Sequence, residues 1–226
     1  MATLAPRPID AEVASAWPST VHVDSGGAGP LDKRLLDLLM ASIGLLLLLP
    51  LLIATAAAVR ITSRGPVFHR RRVVGRGGRP FDAFKFRSMR VDADRILQAD
   101  AELWAAYLQN FKLSDDPRIT PIGRFLRRYS IDELPQLLNV VRGEMSLVGP
   151  RMLTAAELTR YGNRVSVLLS VRPGITGLWQ VSGRQTTTYE RRVELDLHYV
   201  EHRSWWLDLR ILVKTPLVAL RGEGAY

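Results

Sequence analysis

Two adjacent carboxylates, Asp132 and Glu133, lie near the start of the most densely patterned stretch of the sequence, residues 130–151. A carboxylate can attack phosphorus to form an acyl phosphate. Because attack on a diphosphate brings one anion onto another, such a site must neutralise charge with Lys, Arg or a divalent metal. The basic residues that could bind phosphate are Lys85, Arg87, Arg151, Arg172 and Arg184. Such residues could carry out phosphoryl chemistry in which Asp132 attacks and Glu133 holds Mg²⁺, but their spacing alone does not make it the expected function.

The same pair also has a structural interpretation, because hydroxyl and acidic residues commonly begin helices. Ser130 could cap a helix, with Glu133 completing a capping box. Alternatively Asp132 is the cap, which puts Pro135 in the first turn, where its missing N–H costs no hydrogen bond. The position of Pro135 favours the second arrangement. Spacing alone does not decide between capping and chemistry.

The residues before this stretch predict a β-hairpin. Residues 67–74 and 81–89 have strand character, and the glycine-rich segment 75–78 lies between them. Those glycines could cradle a phosphate, but no Gly-Lys-Ser/Thr follows them, so a hairpin turn is the better interpretation. Alternation along the second strand puts Lys85 and Arg87 on one face. They could form an anion site there, although an ordinary solvated face is the simpler expectation.

The rest of the chain after the hairpin favours helices. Helical periodicity predicts helices over residues 154–169, 189–202 and 205–220. Together with the hairpin, this indicates an α+β fold that is mostly helical. Trp205 and Trp206 would either anchor the last helix at a membrane surface or lie in the core, and the sequence does not distinguish the two.

A long apolar segment precedes the hairpin. Residues 38–59 contain no charged side chain, and as one helix they would extend about 33 Å, enough to cross the hydrocarbon core. Pro50 near the middle removes a backbone hydrogen bond and favours a kink. Basic residues flank both ends, which favours the cytoplasmic side for each. We therefore expect a broken, re-entrant membrane helix. The alternative is a single span with its N-terminus outside.

Composition adds the expectation of an anionic partner. The 226 residues carry a formal net charge of +9, with a pI near 10.4, which suits nucleic acid, anionic lipid or a phosphorylated substrate. The absence of cysteine excludes disulfides, thiolate catalysis and cysteine-ligated metals. We expect a disordered tail over residues 1–30, a membrane-inserted segment over 31–64 and a cytoplasmic catalytic domain over 65–226.

Two other functions compete with phosphoryl chemistry. His198, Glu201 and His202 match the H-x-x-E-H pattern of inverted zinc peptidases, although no third ligand is evident. The net charge alone would also suit a nucleic-acid binder. However, the basic residues are concentrated just after the apolar segment, where lipid headgroups are the nearer partner, and no aromatic residues alternate with them as stacking platforms. We therefore expect no nucleic-acid partner.

Four motifs in the chain carry a resemblance to a known family. In chain order they are Lys85-Phe-Arg-Ser-Met89, Asp132-Glu-Leu-Pro-Gln136, Gly143-Glu-Met-Ser-Leu-Val-Gly-Pro-Arg151 and Arg172-Pro-Gly-Ile-Thr-Gly-Leu-Trp-Gln-Val-Ser-Gly-Arg184. They resemble the bacterial sugar transferase family, the monotopic polyprenyl-phosphate phosphoglycosyl transferases, from about Leu31 to the C-terminus and in the family's order. The ending, with Tyr199-Val-Glu and Trp206-Leu-Asp-Leu, resembles the short exopolysaccharide-priming members.

What the resemblance implies is a two-step reaction. Asp132 would attack the β-phosphate of a UDP-sugar and release UMP, and polyprenyl phosphate would then attack the sugar-phosphoryl aspartate. The product would be a polyprenyl-diphosphate sugar. Galactose or glucose is the expected hexose and undecaprenyl phosphate the expected acceptor. The reaction would prime exopolysaccharide or related glycan synthesis.

The resemblance also implies roles for the other candidate residues. Glu133 matches the family's Mg²⁺-binding carboxylate, and Lys85 and Arg151 match basic residues around the phosphates. Arg172 and Arg184 lie in a motif associated with nucleotide-sugar binding. The family further implies a re-entrant helix, contact with membrane lipids, and location in the bacterial inner membrane with the catalytic domain on the cytoplasmic face. A homodimer is left open as an assembly.

Two positions depart from the family pattern. Met152 stands where the family often has a second proline after Gly-Pro-Arg, so the local backbone there could differ. Leu49 precedes Pro50, where some members have a serine whose hydroxyl helps to stabilise the break. The carboxylate pair and the basic residues match the family.

Overall fold

The computed structural model describes residues 31–110, 113, 115–183 and 187–221. The expected tail over residues 1–30 and the candidate Arg184 lie outside the described residues. In chain order the elements are α1 (Leu31–Leu47), α2 (Leu49–Thr62), β1 (Phe68–Val74), a 3₁₀ turn (Arg76–Gly78), β2 (Pro80–Phe86), α3 (Ala93–Ala99), α4 (Ala101–Asn110), α5 (Pro121–Arg128), a 3₁₀ helix (Ile131–Gln136), α6 (Leu137–Arg142), β3 (Ser146–Val148), α7 (Ala155–Leu158), a second 3₁₀ helix (Thr159–Arg164), α8 (Val165–Leu168), β4 (Gly174–Thr176), α9 (Tyr189–His202) and α10 (Trp205–Arg221). The prediction of a mostly helical fold with little strand is confirmed.

The apolar segment forms two helices, α1 and α2, that meet at a bend of 61°. The break falls at Leu48, and Pro50 lies in the first turn of α2, where its missing N–H costs no hydrogen bond. Among the described residues no single helix is long and apolar enough to cross a membrane, whereas the bent pair meets both criteria when its helices are counted together. The predicted kink is confirmed, and it forms although Leu49 stands where some members of the resembled family have a serine.

Each helix of the bent pair packs one face onto the rest of the fold. Ala41 on α1 is fully buried in a cluster with Val140, and Val59 on α2 is fully buried in a cluster with Phe86. The opposite faces leave large apolar side chains exposed: Leu35, Leu38, Leu39, Met40, Ile43, Leu46, Leu47, Leu49, Leu51, Ile53 and Ile61. An exposed apolar surface of this extent is typical of a site that contacts a membrane or another protein.

The predicted hairpin is present as an antiparallel pair of strands, β1 and β2. Phe68 pairs with Phe86 at one end, next to the His69–Lys85 pair, and Val74 pairs with Pro80 at the other end. Gly77 and Gly78 in the turn have φ of 68° and 76°, a left-handed conformation that favours glycine. The second strand ends at Phe86, three residues before the predicted end.

A second, parallel pair of strands was not predicted. β3 and β4 have three residues each and pair Ser146 with Gly174 and Val148 with Thr176. The two chains approach closely, because a Cβ atom on Gly174 would lie 2.1 Å from the backbone nitrogen of Gly149. This pairing fixes the loop that carries Arg151.

Two of the three predicted C-terminal helices are confirmed as α9 and α10. The predicted helix over 154–169 is wrong as one element, because Gly162 has φ 52° and ψ −130° and divides it into short helical pieces. Trp205 and Trp206 on α10 are 47% and 73% exposed. They therefore do not lie in the core, which rules out one of the two sequence interpretations for these residues.

Candidate active site

Asp132 and Glu133 lie in the 3₁₀ helix Ile131–Gln136 and not at the first turn of an α-helix. Ser130, which precedes it, has left-handed backbone geometry with φ 57° and makes no side-chain cap hydrogen bond. Both capping predictions are therefore wrong. The physical reason is that the left-handed residue redirects the chain immediately after α5, and the i→i+3 bond from the Glu133 N–H to the Ser130 carbonyl forms the first turn.

The Asp132 carboxyl group is buried, with 6% of the residue exposed. Burial and the neighbouring Glu133 carboxylate raise the pKa of Asp132 to about 6, while Lys85 and Arg127 oppose that rise. At neutral pH the carboxylate is thus mostly ionised but poorly hydrated. A perturbed carboxylate next to cations is a candidate nucleophile.

Glu133 is bonded to Lys85 across two elements. The Lys85 Nζ donates to Glu133 Oε1 at 2.5 Å, and both side chains are mostly shielded from solvent. The contact forms because β2 packs directly against the 3₁₀ helix. The expectation that Lys85 lies on an ordinary solvated face is therefore wrong. Lys85 and Glu133, which the sequence analysis assigned to one site in different roles, lie together.

Arg127 is a further cation at this position that the sequence did not single out. Its Nε donates to the Ser88 hydroxyl at 2.8 Å. Burial lowers the pKa of Arg127 even though Asp132 and Glu133 lie within electrostatic range and favour its charge. The sequence offers no signal for it, because Arg127 and Arg128 are adjacent and only the fold determines which of them points inward.

Arg151 approaches the carboxylates from the loop after β3. Its guanidinium lies 3.7 Å from Glu157 Oε1 and 5.2 Å from the centre of the Trp179 ring. Burial disfavours its charge, but Glu157 and Glu133 outweigh that effect and raise the pKa of Arg151. Arg151 therefore stays charged. Its charge lies within electrostatic range of Glu133 and so belongs to the predicted site.

Two buried acids hold the Arg151 segment in place. Glu157 accepts from Arg71 Nη2 at 2.9 Å and completes a capping box with Thr154. Asp196 accepts the Arg151 backbone N–H at 3.1 Å, and burial raises the pKa of Asp196 to about 6. Neither acid was predicted from the sequence, although the Thr-x-x-Glu spacing at 154–157 is a readable capping-box signal.

Trp179 lies between two guanidinium groups, those of Arg151 and Arg192, each 5.2 Å from its ring. Among the described residues, the buried Nε1 of Trp179 and Nε of Arg192 have no hydrogen-bond partner, and neither has the buried side-chain amide of Gln136. Buried donors without acceptors are costly unless a ligand or water binds them. Either ordered water or a bound ligand would satisfy these atoms.

Comparison with known proteins decides the family. The family model described as bacterial sugar transferase matches residues 29–222, which is most of the chain. This chain belongs to the bacterial sugar transferase family. The resemblance carried by the four sequence motifs is thereby confirmed.

Individual relatives match over the same part of this sugar transferase. The UDP-galactose-lipid carrier transferase of Erwinia amylovora is 48% identical over 198 residues, covering 86% of this chain and 41% of the relative. The UDP-glucose:undecaprenyl-phosphate glucose-1-phosphate transferase of Xanthomonas campestris pv. campestris is 43% identical over 205 residues, covering 86% and 40%. The exopolysaccharide production protein ExoY of Sinorhizobium fredii is 41% identical over 202 residues, covering 88% and 89%. The chain thus spans less than half the length of the first two relatives and most of the third.

Two of the basic residues predicted to bind phosphate, Arg87 and Arg172, contact other groups and not Asp132 or Glu133. Arg87 donates to the Ser63 carbonyl at 2.7 Å and its hydroxyl at 2.6 Å, at the end of α2. Arg172 donates to the Gly143 carbonyl at 2.8 Å and lines a separate cavity. Arg184 lies outside the described residues. Their roles in substrate binding stay predictions.

The H-x-x-E-H motif of this sugar transferase does not form a metal site. The rings of His198 and His202 stack at 4.2 Å, and Glu201 pairs with Arg164. Within residues 31–110, 113, 115–183 and 187–221, no group of three or more His, Cys, Asp or Glu side chains is arranged to hold a metal ion. The zinc-peptidase interpretation is therefore wrong.

The carboxylate pair nevertheless fits Mg²⁺ in the way that phosphate-binding enzymes hold it. Mg²⁺ prefers hard oxygen ligands and is commonly bound by one or two carboxylates together with substrate phosphates and water. Asp132 and Glu133 supply two adjacent carboxylates, and Lys85 already neutralises part of the charge on Glu133. A metal that arrives with a diphosphate would need no cage of three protein ligands.

Proposed function

We propose that this sugar transferase moves a hexose 1-phosphate from a UDP-sugar, galactose or glucose, to undecaprenyl phosphate and releases UMP. The observation that carries the proposal is the buried Asp132, with a raised pKa of about 6, next to the Lys85–Glu133 pair and Arg127. The names of the Erwinia and Xanthomonas relatives support the substrate classes. The name of the Sinorhizobium relative supports exopolysaccharide priming as the context.

The proposed chemistry has two displacements at one phosphorus atom. An Asp132 carboxylate oxygen attacks the β-phosphorus of the UDP-sugar, and the bond from that phosphorus to the bridging oxygen breaks, so UMP leaves with the bridging oxygen. A phosphate oxygen of the lipid then attacks the same phosphorus and displaces the Asp132 carboxylate. The ionised carboxylate is regenerated, and the product is a lipid diphosphate sugar.

The side chains around Asp132 have distinct roles in this scheme. Lys85 and Arg127 counter the negative charge that gathers when a diphosphate approaches a carboxylate. Arg151, held by Glu157 and by the Asp196 contact to its backbone, binds phosphate from the other side. Glu133, with the substrate diphosphate, would hold Mg²⁺. The ion would supply further neutralisation of the phosphate charge when bound.

The proposed site of action is the cytoplasmic leaflet of the bacterial inner membrane. The exposed apolar faces of α1 and α2 and their bend suit a re-entrant segment, and α10 adds a second exposed apolar row: Trp205, Trp206, Leu209, Val213, Leu217 and Leu220. Basic side chains on both flanks of the bent pair favour the cytoplasmic side for each. A lipid phosphate would then reach the catalytic residues from the same surface.

Cysteine labelling tests the membrane placement, because the native chain contains no cysteine. In a Ser19→Cys variant expressed in intact cells, a membrane-impermeant maleimide should react only after the inner membrane is permeabilised. Ser182→Cys, at an exposed position in the soluble part, is the control and should behave identically. Labelling of Ser19→Cys in cells with only the outer membrane opened would disprove the re-entrant arrangement.

UMP release tests the reaction class. Detergent-purified protein should release UMP from UDP-galactose or UDP-glucose over many turnovers only with both undecaprenyl phosphate and Mg²⁺. With Mg²⁺ but without the lipid, release should stop at about one UMP per protein molecule, because Asp132 stays occupied. Asp132→Asn should lower the rate at least about 1000-fold, because the amide cannot attack phosphorus. Asp82→Asn, which removes a partly exposed carboxylate that pairs with Arg72 on the hairpin, is the control and should keep normal turnover. Release of UDP instead of UMP would exclude the phosphoryl-aspartate scheme.

A further inference from the structure

A cavity of about 260 Å³ lies at the turn end of the hairpin. Its walls come from the first turns of α1, the hairpin turn, residues 170–172 and the junction between α9 and α10. Five cationic side chains line it: Lys33, Arg34, Arg76, Arg172 and Arg203. The lining has only two carboxylates, so it carries three net positive charges.

Both carboxylates in the lining already have partners. Asp208 accepts from Lys33 Nζ at 2.5 Å and from the Tyr199 hydroxyl at 2.7 Å. Asp37 accepts from the Ser146 hydroxyl at 2.7 Å and the Leu147 N–H at 3.1 Å. Asp208 therefore offsets Lys33, and Asp37, which these bonds join to neutral donors, offsets one of the four arginine charges.

None of the four arginines forms an ion pair with a described residue. Arg34 and Arg172 donate to neutral backbone carbonyls of residues 140–143, at the end of α6. Arg76 and Arg203 make no hydrogen bond or ion pair with any described residue. Burial and the nearby charges of Arg76 and Arg34 lower the pKa of Arg172, and the Asp37 carboxylate opposes this shift only in part.

This cavity is separate from the candidate active site. Along β2, Pro80 at the turn and Lys85 beside Glu133 are five residues apart. At the usual rise of a strand that separation is roughly 17 Å. A phosphate bound next to Arg76 is therefore too far from Asp132 to undergo the proposed displacement.

The cavity opens where the two exposed apolar surfaces of the molecule begin. Lys33 and Arg34 stand at the start of α1, and Trp205, which lines the cavity and is 47% exposed, stands at the start of α10. Cationic pockets beside membrane-facing helices recognise lipid headgroups through their phosphate. A ligand with a phosphate and acyl chains would satisfy the arginines and the apolar surfaces together.

We propose that this cavity binds the phosphate group of an anionic membrane phospholipid and so fixes the depth and tilt of the catalytic domain at the bilayer surface. The inference rests on the membrane placement proposed above but not on the reaction. Inorganic phosphate carries the same group that the arginines would bind in the lipid, so it is titrated as a separate ligand in the test.

The test compares two double variants that remove the same charge from the same two regions. Arg76→Gln/Arg203→Gln empties the cavity of its two unpaired guanidiniums. Arg79→Gln/Arg210→Gln removes two exposed arginines from the hairpin turn and α10 that do not line the cavity. Each protein in dodecyl maltoside is titrated calorimetrically with dihexanoyl-phosphatidylglycerol, dihexanoyl-phosphatidylcholine and inorganic phosphate, without UDP-sugar.

We expect phosphatidylglycerol to bind the wild-type protein and the Arg79/Arg210 variant alike, and the Arg76/Arg203 variant at least about tenfold more weakly, because charge-assisted bonds to phosphate are lost. Equal affinity in the two double variants, or equal binding of phosphatidylcholine, would overturn the site. Inorganic phosphate binding as tightly as the lipid would overturn the lipid assignment. UMP release is measured on the same preparations, and we expect both double variants to retain it in micelles saturated with lipid. Loss of lipid binding with UMP release retained concerns the cavity alone, whereas absence of UMP release from the wild-type protein would count against the proposed reaction.

Discussion

At the open end of the hairpin, opposite its turn, Lys85 is paired with a carboxylate, as is Arg151 of the candidate active site, whereas Arg76 and Arg203 at the turn end are not paired with any described carboxylate. Lys85 donates to Glu133 at 2.5 Å, and Arg151 lies 3.7 Å from Glu157. Arg76 and Arg203, at the turn end, have no acidic partner among the described residues. The same hairpin thus joins a balanced cluster of charges to a cluster with a positive excess.

This difference separates two uses of positive charge. A cation bonded to a carboxylate holds that carboxylate in one place, and the pair keeps its geometry before a substrate arrives. Cations without partners gain most when an anion binds, because no existing ion pair has to be broken. The first arrangement suits the positioning of a reaction, and the second suits retention of an anionic ligand. Variants at the two ends should therefore fail in different assays.

Removal of the Lys85 charge should give the largest effect among the variants that distinguish the two ends. Lys85→Met keeps the length of the side chain but leaves Glu133 without its bonded cation. We expect UMP release to fall about 100-fold, since a group that stabilises developing charge is lost, with phosphatidylglycerol binding unchanged. Arg72→Met on β1, which removes an exposed cation paired with Asp82, is the control and should keep normal turnover. A loss of lipid binding in Lys85→Met would show that the two ends are not independent.

The features of this site that the sequence predicted depend on residues close together in the chain or on family motifs, and those it missed depend on tertiary packing. Pro50 affects its own turn, so the kink was predictable and formed. Lys85 and Glu133 belong to separate motifs, and the family resemblance brought them together before the structure did. Arg127 was missed because its neighbour Arg128 looks the same in sequence, and only the packing of α5 distinguishes them.

The two failures at the site arose from elements too short to leave a pattern. β3 and β4 have three residues each, and their pairing carries Arg172 to the cavity at the turn end. Ser130 adopts a left-handed conformation that is unusual for a residue with a side chain, so helix-capping rules gave the wrong geometry for Asp132. Such features depend on tertiary contacts and not on local preference.

A second variant tests whether the balanced end depends on its buried acids. Glu157→Gln leaves Arg151 and Arg71 without their shared carboxylate, which has only 2% of its side chain exposed. We expect the free energy of unfolding to fall by about 3 kcal/mol, as for other broken buried pairs. Urea unfolding in detergent measures the change.

The matched control for Glu157→Gln is Glu194→Gln, which breaks an exposed pair with Arg191. Its effect should stay within about 0.5 kcal/mol. If the two variants lost equal stability, Glu157 would contribute no more than a surface ion pair, and the distinction between the balanced end and the rest of the surface would lose its basis.

The pH dependence of stability gives the smallest effect and isolates Asp132. The pKa of Asp132 is raised from 3.8 to about 6 in the folded protein, so between pH 4 and 6 the folded state binds more protons at this group than the unfolded state does. Its contribution to stability is therefore complete below pH 4 and is lost as the pH rises through 6. Asp132→Asn replaces the carboxyl group by an amide that does not ionise, so the variant does not lose this stability as the pH rises. The variant should match wild type near pH 4 and exceed it by about 2 kcal/mol at pH 7. A difference that does not change with pH would mean that the Asp132 carboxylate is not held in a buried, charge-disfavouring position, and its case as the nucleophile would rest on the family alone.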